Sequence, residues 1–149
     1  MTKSQRLRPI VKVTEKKERS AAITVAESKR VLDENLLKLE HLKAYLDEYR
    51  GTFRSLGETG LTVKKMQEYR IFLSNLEAAV AQQNIIVKTH QETYDSSIKL
   101  WFASRGKVKA LGTVIARHEK KERQDDMRKD QKELDDRPPQ PGHNHEEEK

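Results

Sequence analysis

Cysteine is absent from this 149-residue chain, so disulfide frameworks, zinc ribbons and thiol nucleophiles are excluded. Only four prolines and six glycines are present, and the abundance of Leu, Glu, Lys, Arg and Ala favours long helices over sheets. Charged residues make up 36% of the chain and hydrophobic residues 34%, which leaves little material for a thick core. We therefore expect an elongated all-α protein.

Long apolar runs are also missing. The N-terminal stretch MTKSQRLRPIVKVTEKKERS is basic and lacks the apolar segment of a secretory signal. No later run approaches the roughly 20 apolar residues that a membrane span needs, so we expect a cytoplasmic protein. The net charge of +6 is compatible with a nucleic acid, an anionic lipid or an acidic protein as partner, and its sign does not choose among them.

Apolar residues recur every seven positions in two stretches, which is typical of the a positions of a coiled coil. The first row is Val25, Leu32, Leu39, Leu46 and Phe53. The second row is Met66, Leu73, Val80, Val87, Tyr94, Trp101, Val108 and Ile115. Because the d positions are partly polar, each helix carries one narrow apolar stripe and needs a partner. The pattern predicts a long antiparallel two-helix coiled-coil hairpin with an overhanging C-terminal helix.

Glycines 51, 57 and 60 lie between the two stretches and are expected to reverse the chain, with Thr62 as the cap of the second helix. A turn centred between Gly57 and Glu58 places Leu39 level with Leu76, Leu46 level with Tyr69 and Tyr49 level with Met66. The same register places Trp101 level with Thr14, either as an interface filler or as a partner contact.

Three segments follow from this arrangement. Residues 1–11 are predicted to be a basic N-terminal arm, residues 12–136 the coiled-coil hairpin with its turn at about 55–61, and residues 137–149 a disordered tail. The part of the second helix beyond Ile115 is expected to have no partner on the first helix. The tail's His143 and His145 are expected to be solvated rather than to bind a metal.

No phosphate-binding loop, HExxH motif, nucleophile elbow or pair of buried carboxylates is found, so we expect neither an enzyme nor a cofactor. Positive charge is concentrated at the open end of the hairpin. Residues 1–30 hold nine basic and three acidic residues, and residues 105–124 hold seven basic and two acidic ones. In the second helix, Phe72, Ala79 and Ile86 at g positions are apolar beyond what a two-stranded coil needs. They either thicken the interface or dock another protein.

Several motifs resemble the FliJ family of flagellar export proteins over about residues 12–136. They are YLDEYR at 45–50, a glycine-containing turn, YRIFLSNL at 69–76, the Leu100–Trp101 pair and DQKELD at 130–135. The resemblance implies a soluble, non-catalytic stalk of the flagellar type III export apparatus. Such a stalk is expected to bind the export ATPase hexamer, the cytoplasmic domain of the export gate and the export chaperones, and to lie at the inner face of the cell membrane.

The resemblance also implies where these partners bind. The residues expected to contact the export gate are Tyr45, Tyr49, Phe72, Leu76, Ala79 and Gln83. Those expected to contact the ATPase are Lys12, Lys16, Arg19, Arg117, Lys121, Arg123, Arg128 and Gln131. A basic coiled-coil adaptor or nucleic-acid-binding module is the alternative, although the basic end lacks the interleaved aromatic and glycine residues typical of such modules, so no nucleic acid is expected. A structural spacer or a virulence-type export system also stays open.

Overall fold

The computed structural model describes residues 1–138 of the chain, which form two α-helices, α1 (Lys3–Thr59) and α2 (Val63–Asp135). The helices pack against each other as an antiparallel hairpin, and no strand occurs in this part of the chain. The predicted all-α hairpin is confirmed. Neither of these helices contains an apolar stretch that could cross a membrane.

The interface between the helices follows the predicted heptads. Leu32, Leu39 and Leu46, all at a positions of α1, are the buried apolar side chains of the described residues. Along α2, every a and d position from Met66 to His118 is buried or half-buried. Burial of one narrow stripe on each helix is the packing that a seven-residue repeat produces in a two-stranded coil.

The turn is shorter than predicted and lies closer to α2. Gly60 ends α1 with a φ of 99°, and its N–H donates to the Leu56 carbonyl at 3.0 Å. Thr62 caps α2 as predicted, because its Oγ1 accepts from the Lys65 N–H at 3.3 Å. Gly51 and Gly57 lie inside α1, so the predicted turn at about 55–61 is wrong at its start. The chain reverses over residues 60–62.

The shorter turn moves the register by one heptad. The Tyr69 ring stacks on Phe53 with centroids 5.7 Å apart, whereas the sequence placed it level with Leu46. Tyr49 likewise contacts Phe72, at 4.9 Å, instead of Met66. Each helical glycine costs about 1 kcal/mol relative to alanine. The longer hairpin offsets this cost because it brings the rings of Phe53 and Tyr69 into the interface, where both are half-buried.

The predicted N-terminal arm at residues 1–11 is also wrong, because α1 begins at Lys3. Thr2 and Gln5 form a capping box, in which the Thr2 side chain accepts from the Gln5 N–H and the Gln5 side chain accepts from the Thr2 N–H. Ser4 is only 3% exposed, since it contacts α2. The helix therefore extends the hairpin at its open end.

The unpaired part of α2 begins later than predicted. Contacts with α1 continue as far as Glu122, beyond the expected limit at Ile115. Residues 123–135, which we call the overhang, are all exposed. Most of the predicted tail, including His143 and His145, lies outside the described residues.

Candidate partner-binding surfaces

Two aromatic pairs join the helices near the turn. The rings of Tyr49 and Phe72 meet edge to face at an angle of 77°, and those of Phe53 and Tyr69 lie tilted at 31°. Phe72 keeps 42% of its surface exposed, and the nearby Tyr45 keeps 54%. Phe72 therefore packs part of its ring against Tyr49 and leaves the rest of it exposed.

A wider apolar stripe than the sequence analysis recognised runs along the outer surface of α2. Ile71 and Ile85 lie at f positions, where a two-stranded coil has no use for apolar side chains, and they are 63% and 60% exposed. The stripe is formed by Ile71, Phe72, Ala78, Ala79, Ile85 and Ile86. It covers about four helical turns, roughly 22 Å of helix. Four of its members are exposed, and Ala79 and Ile86 are half-buried. A partly exposed apolar surface of this kind is typical of a protein-binding site.

Gln83 lies in the interface rather than on this stripe. It is 5% exposed, and its Nε2 donates to the Asn35 carbonyl at 3.0 Å and to Asn35 Oδ1 at 3.1 Å. Leu76 and Ala79 are half-buried beside it. A partner can reach Phe72 and Ala79 directly, but contact with Gln83 requires the helices to separate.

Two acidic residues near the open end of the hairpin form contacts between the helices. Glu122 Oε2 accepts from Ser4 Oγ at 2.7 Å, and its Oε1 accepts from the Ser4 N–H at 3.1 Å. Glu119 forms an ion pair with Arg8 at 3.3 Å. These contacts close the end of α1 onto α2. The hydrogen bonds from the Ser4 hydroxyl and N–H lower the pKa of Glu122 because they favour its carboxylate.

Trp101 belongs to the interface as well. Its Nε1 donates to Glu18 Oε1 at 2.9 Å, and the Arg105 guanidinium lies 5.0 Å from the centroid of its ring. The indole is half-buried. It therefore fills the interface, although its neighbour on α1 is Glu18 and not the expected Thr14.

The basic side chains predicted for the open end are exposed. Lys12, Lys16 and Arg19 project from α1, and Arg117, Lys121 and Arg123 project from α2. None of them forms an ion pair within the described residues. Arg128 and Gln131 lie on the overhang, where Gln131 Nε2 contacts Asp135 Oδ1 at 3.5 Å. Within residues 1–138, no cluster of three or more potential ligands could hold a metal ion.

Comparison with known proteins identifies the family. A family model described as "Flagellar FliJ protein" matches residues 2–140, which is nearly the whole chain. The chain belongs to the FliJ family. It is also 25% identical over 123 residues to the flagellar FliJ protein of Escherichia coli strain K12, covering 83% of this chain and 84% of that protein. The family model includes residues 2–11, which the motif resemblance left out.

The residues expected to bind partners in this FliJ-family chain fall into two groups that are far apart. Tyr45, Tyr49, Phe72 and Ala79 lie near the turn, and the basic residues lie at the open end or on the overhang. Ile71 and Ile85 were missed from the sequence, although their spacing of fourteen residues, two heptads apart at f positions, was visible. The contacts of the acidic residues at the open end with the opposite helix were also missed, because these contacts depend on the register between the helices.

Proposed function

We propose that this chain is the coiled-coil stalk of a flagellar type III export apparatus, linking the export ATPase hexamer to the membrane export gate and to export chaperones. Membership of the FliJ family makes it a flagellar export-related protein. The observation that supports a linking role is the difference between the two ends of the hairpin. One end is cationic and bears an overhang, while the other presents an apolar stripe.

The open end and the overhang are the proposed ATPase-binding site. Helix α2 is longer than α1, at 73 residues against 57, so one helix alone projects beyond the hairpin. The overhang itself holds four basic and five acidic residues, so the proposed fit into an opening with acidic walls rests on the exposed cations of the open end that flank it. Such an association should weaken as salt is added, because the charges are exposed.

The apolar stripe is the proposed binding site for the cytoplasmic domain of the export gate. An aromatic ring at the centre of an interface commonly contributes 2 kcal/mol or more. Support for this role comes from Phe72, which contacts Tyr49 and is yet partly exposed. Binding at the gate would hold the chain peripherally at the inner face of the cell membrane.

The ATPase assignment is tested by changing charge at one end only. Arg123→Glu with Arg128→Glu should abolish stimulation of the export ATPase, measured as phosphate release. The matched control is Lys64→Glu with Lys65→Glu, which changes net charge equally at the turn. Equal loss in both variants, or no loss in either, would contradict the assignment.

The gate assignment is tested by substitutions on the apolar stripe that leave the interface between the helices unchanged. Ile71→Ser with Ile85→Ser should weaken binding to the purified gate domain at least tenfold and reduce swimming motility. Ile23→Ser is the control, because Ile23 is 70% exposed on the other helix. Unchanged gate binding with Ile71 and Ile85 replaced would place the contact elsewhere.

A further inference from the structure

The acids at the open end are arranged unevenly around the hairpin. Residues 1–26 contain two acidic residues, Glu15 and Glu18, and residues 96–124 contain Glu119 and Glu122. All four lie at a or e positions. Three of them contact the opposite helix: Glu18 contacts Trp101, Glu119 contacts Arg8, and Glu122 contacts Ser4. Within these two stretches, the g and c positions therefore carry no negative charge, and the next acids after them in the chain are Glu27, at a c position, and Asp125.

One side of the open end is cationic as a result, and we call it the cationic face. It comprises the basic residues at g and c positions, Lys3, Arg6 and Lys17 of α1 and Lys107, Arg117 and Lys121 of α2. All six are exposed, and none forms an ion pair within the described residues. From Lys3 to Lys17 the face extends about 21 Å along the helix axis.

Contacts between the helices show that the two halves of this face adjoin. Lys3 and Lys121 line one groove together with Glu122 and Asp125, and Thr24 and Leu100 line another farther along the same side. The heptad register places Ile10 beside Val114 and Lys17 beside Lys107 between these two grooves. Like charges thus neighbour each other across the helices at Lys17 and Lys107, and an anionic partner would relieve their repulsion.

Exposed apolar side chains lie among these cations. Ile10 is 50% exposed, Val13 56%, Leu100 67% and Val114 38%. A mixture of lysines and aliphatic side chains on one helical surface suits the boundary between lipid headgroups and acyl chains. The backbone of duplex DNA offers phosphates but no apolar surface to match it.

The composition of the face distinguishes a lipid surface from an acidic protein. Four of the six cations are lysines, a residue type that is depleted at protein interfaces, where arginine, tyrosine and tryptophan provide anchors. Lysine is a strongly hydrated point charge that interacts with diffuse negative charge without a fixed geometry. We propose that the cationic face binds the surface of an anionic phospholipid bilayer, with the hairpin lying flat on it. Because Arg117 and Lys121 also belong to the proposed ATPase-binding site, the bilayer and the ATPase would compete for the open end.

The test uses the full-length chain and vesicles alone, so it is independent of the ATPase and gate assignments. Vesicles of phosphatidylcholine with phosphatidylglycerol should bind the protein in a sedimentation assay, and vesicles of phosphatidylcholine alone should not. Loss of one lysine near an anionic surface weakens binding about fivefold. Lys3→Glu, Lys17→Glu and Lys107→Glu together should therefore weaken it by about 100-fold or more.

A matched variant distinguishes the effect of the cationic face from the effect of the total net charge. Lys12→Glu, Arg19→Glu and Lys109→Glu change the charge equally on the opposite side of the same end and should retain most binding. Circular dichroism should show the helical content of both variants to be unchanged. Ile10→Ser with Leu100→Ser should weaken binding to anionic vesicles but leave any binding to duplex DNA as it was.

Three results would overturn the proposal. They are failure of the wild-type chain to bind anionic vesicles, equal loss in the two triple variants, and tighter binding to duplex DNA than to vesicles with the same dependence on the cationic face.

Discussion

A disulfide across the interface tests the register directly. Leu46 is 7% exposed and lies level with Leu76 when Tyr69 packs on Phe53. The chain has no cysteine of its own, so Cys introduced at 46 and 76 forms the bond without competition. The bond would close a loop of about 30 residues. On the chain-entropy model it would stabilise the hairpin by about 3.6 kcal/mol relative to the same variant with both cysteines reduced. For a chain of this length, that corresponds to a Tm increase of roughly 10 °C.

Cys at 46 and 69 is the comparison, because these residues would be level if the chain turned at Gly57. In the structure they are offset by one heptad, about 10 Å along the axis, whereas a disulfide requires Cα atoms within roughly 7 Å. Oxidation followed by non-reducing electrophoresis reports the intramolecular bond, and thermal unfolding with and without reductant reports its effect. Efficient closure of the 46–69 pair, with failure of the 46–76 pair, would refute the register.

Two further predictions concern the turn and the open end. Gly60→Ala should destabilise the hairpin by about 1 kcal/mol in chemical unfolding, because the φ of Gly60 is 99°. Gly57→Ala should stabilise it by a similar amount, because Gly57 is helical and has open space around it. The opposite order of stabilities would contradict a turn at residues 60–62. The contact of Glu122 with Ser4 should be complete at neutral pH and lost in acid as the pH falls through the lowered pKa of Glu122, because protonation removes the charged acceptor. Amide hydrogen exchange at Ser4 should therefore accelerate in acid relative to a Glu122→Gln variant, and equal pH dependence in both proteins would contradict this.

Local pattern was sufficient to predict the helices, their heptads and the cap at Thr62. Each of these features depends on residues within one or two turns of each other. The register depends on contacts between residues far apart in sequence, and a shift by one heptad keeps a positions opposite d positions. The sequence therefore left neighbouring registers nearly equivalent. The glycines were the deciding signal, and they misled because Gly51 and Gly57 are tolerated within α1.

The candidate sites depend on the register to different degrees. The apolar stripe lies on one helix, so its g positions could be recognised from spacing alone. The cationic face depends on which acids contact the opposite helix, and this follows from the register. Gln83 illustrates the same limit, because its place on α2 was known but its hydrogen bonds to Asn35 required the correct level on α1.

The length of the hairpin determines whether its two ends can act at once. About 50 residues of α2 separate Ile71 from Lys121, a distance of roughly 75 Å along the helix. This exceeds the Debye length of about 10 Å at 0.1 M salt many times, so charge at the open end has no direct electrostatic effect at the apolar stripe. The interface between the two ends is thin, with three buried leucines, Gln83 and Ser97, yet both helices are continuous through it. A partner at each end could therefore bind without hindering the other, and any coupling between them would have to pass through bending or rotation of the hairpin itself.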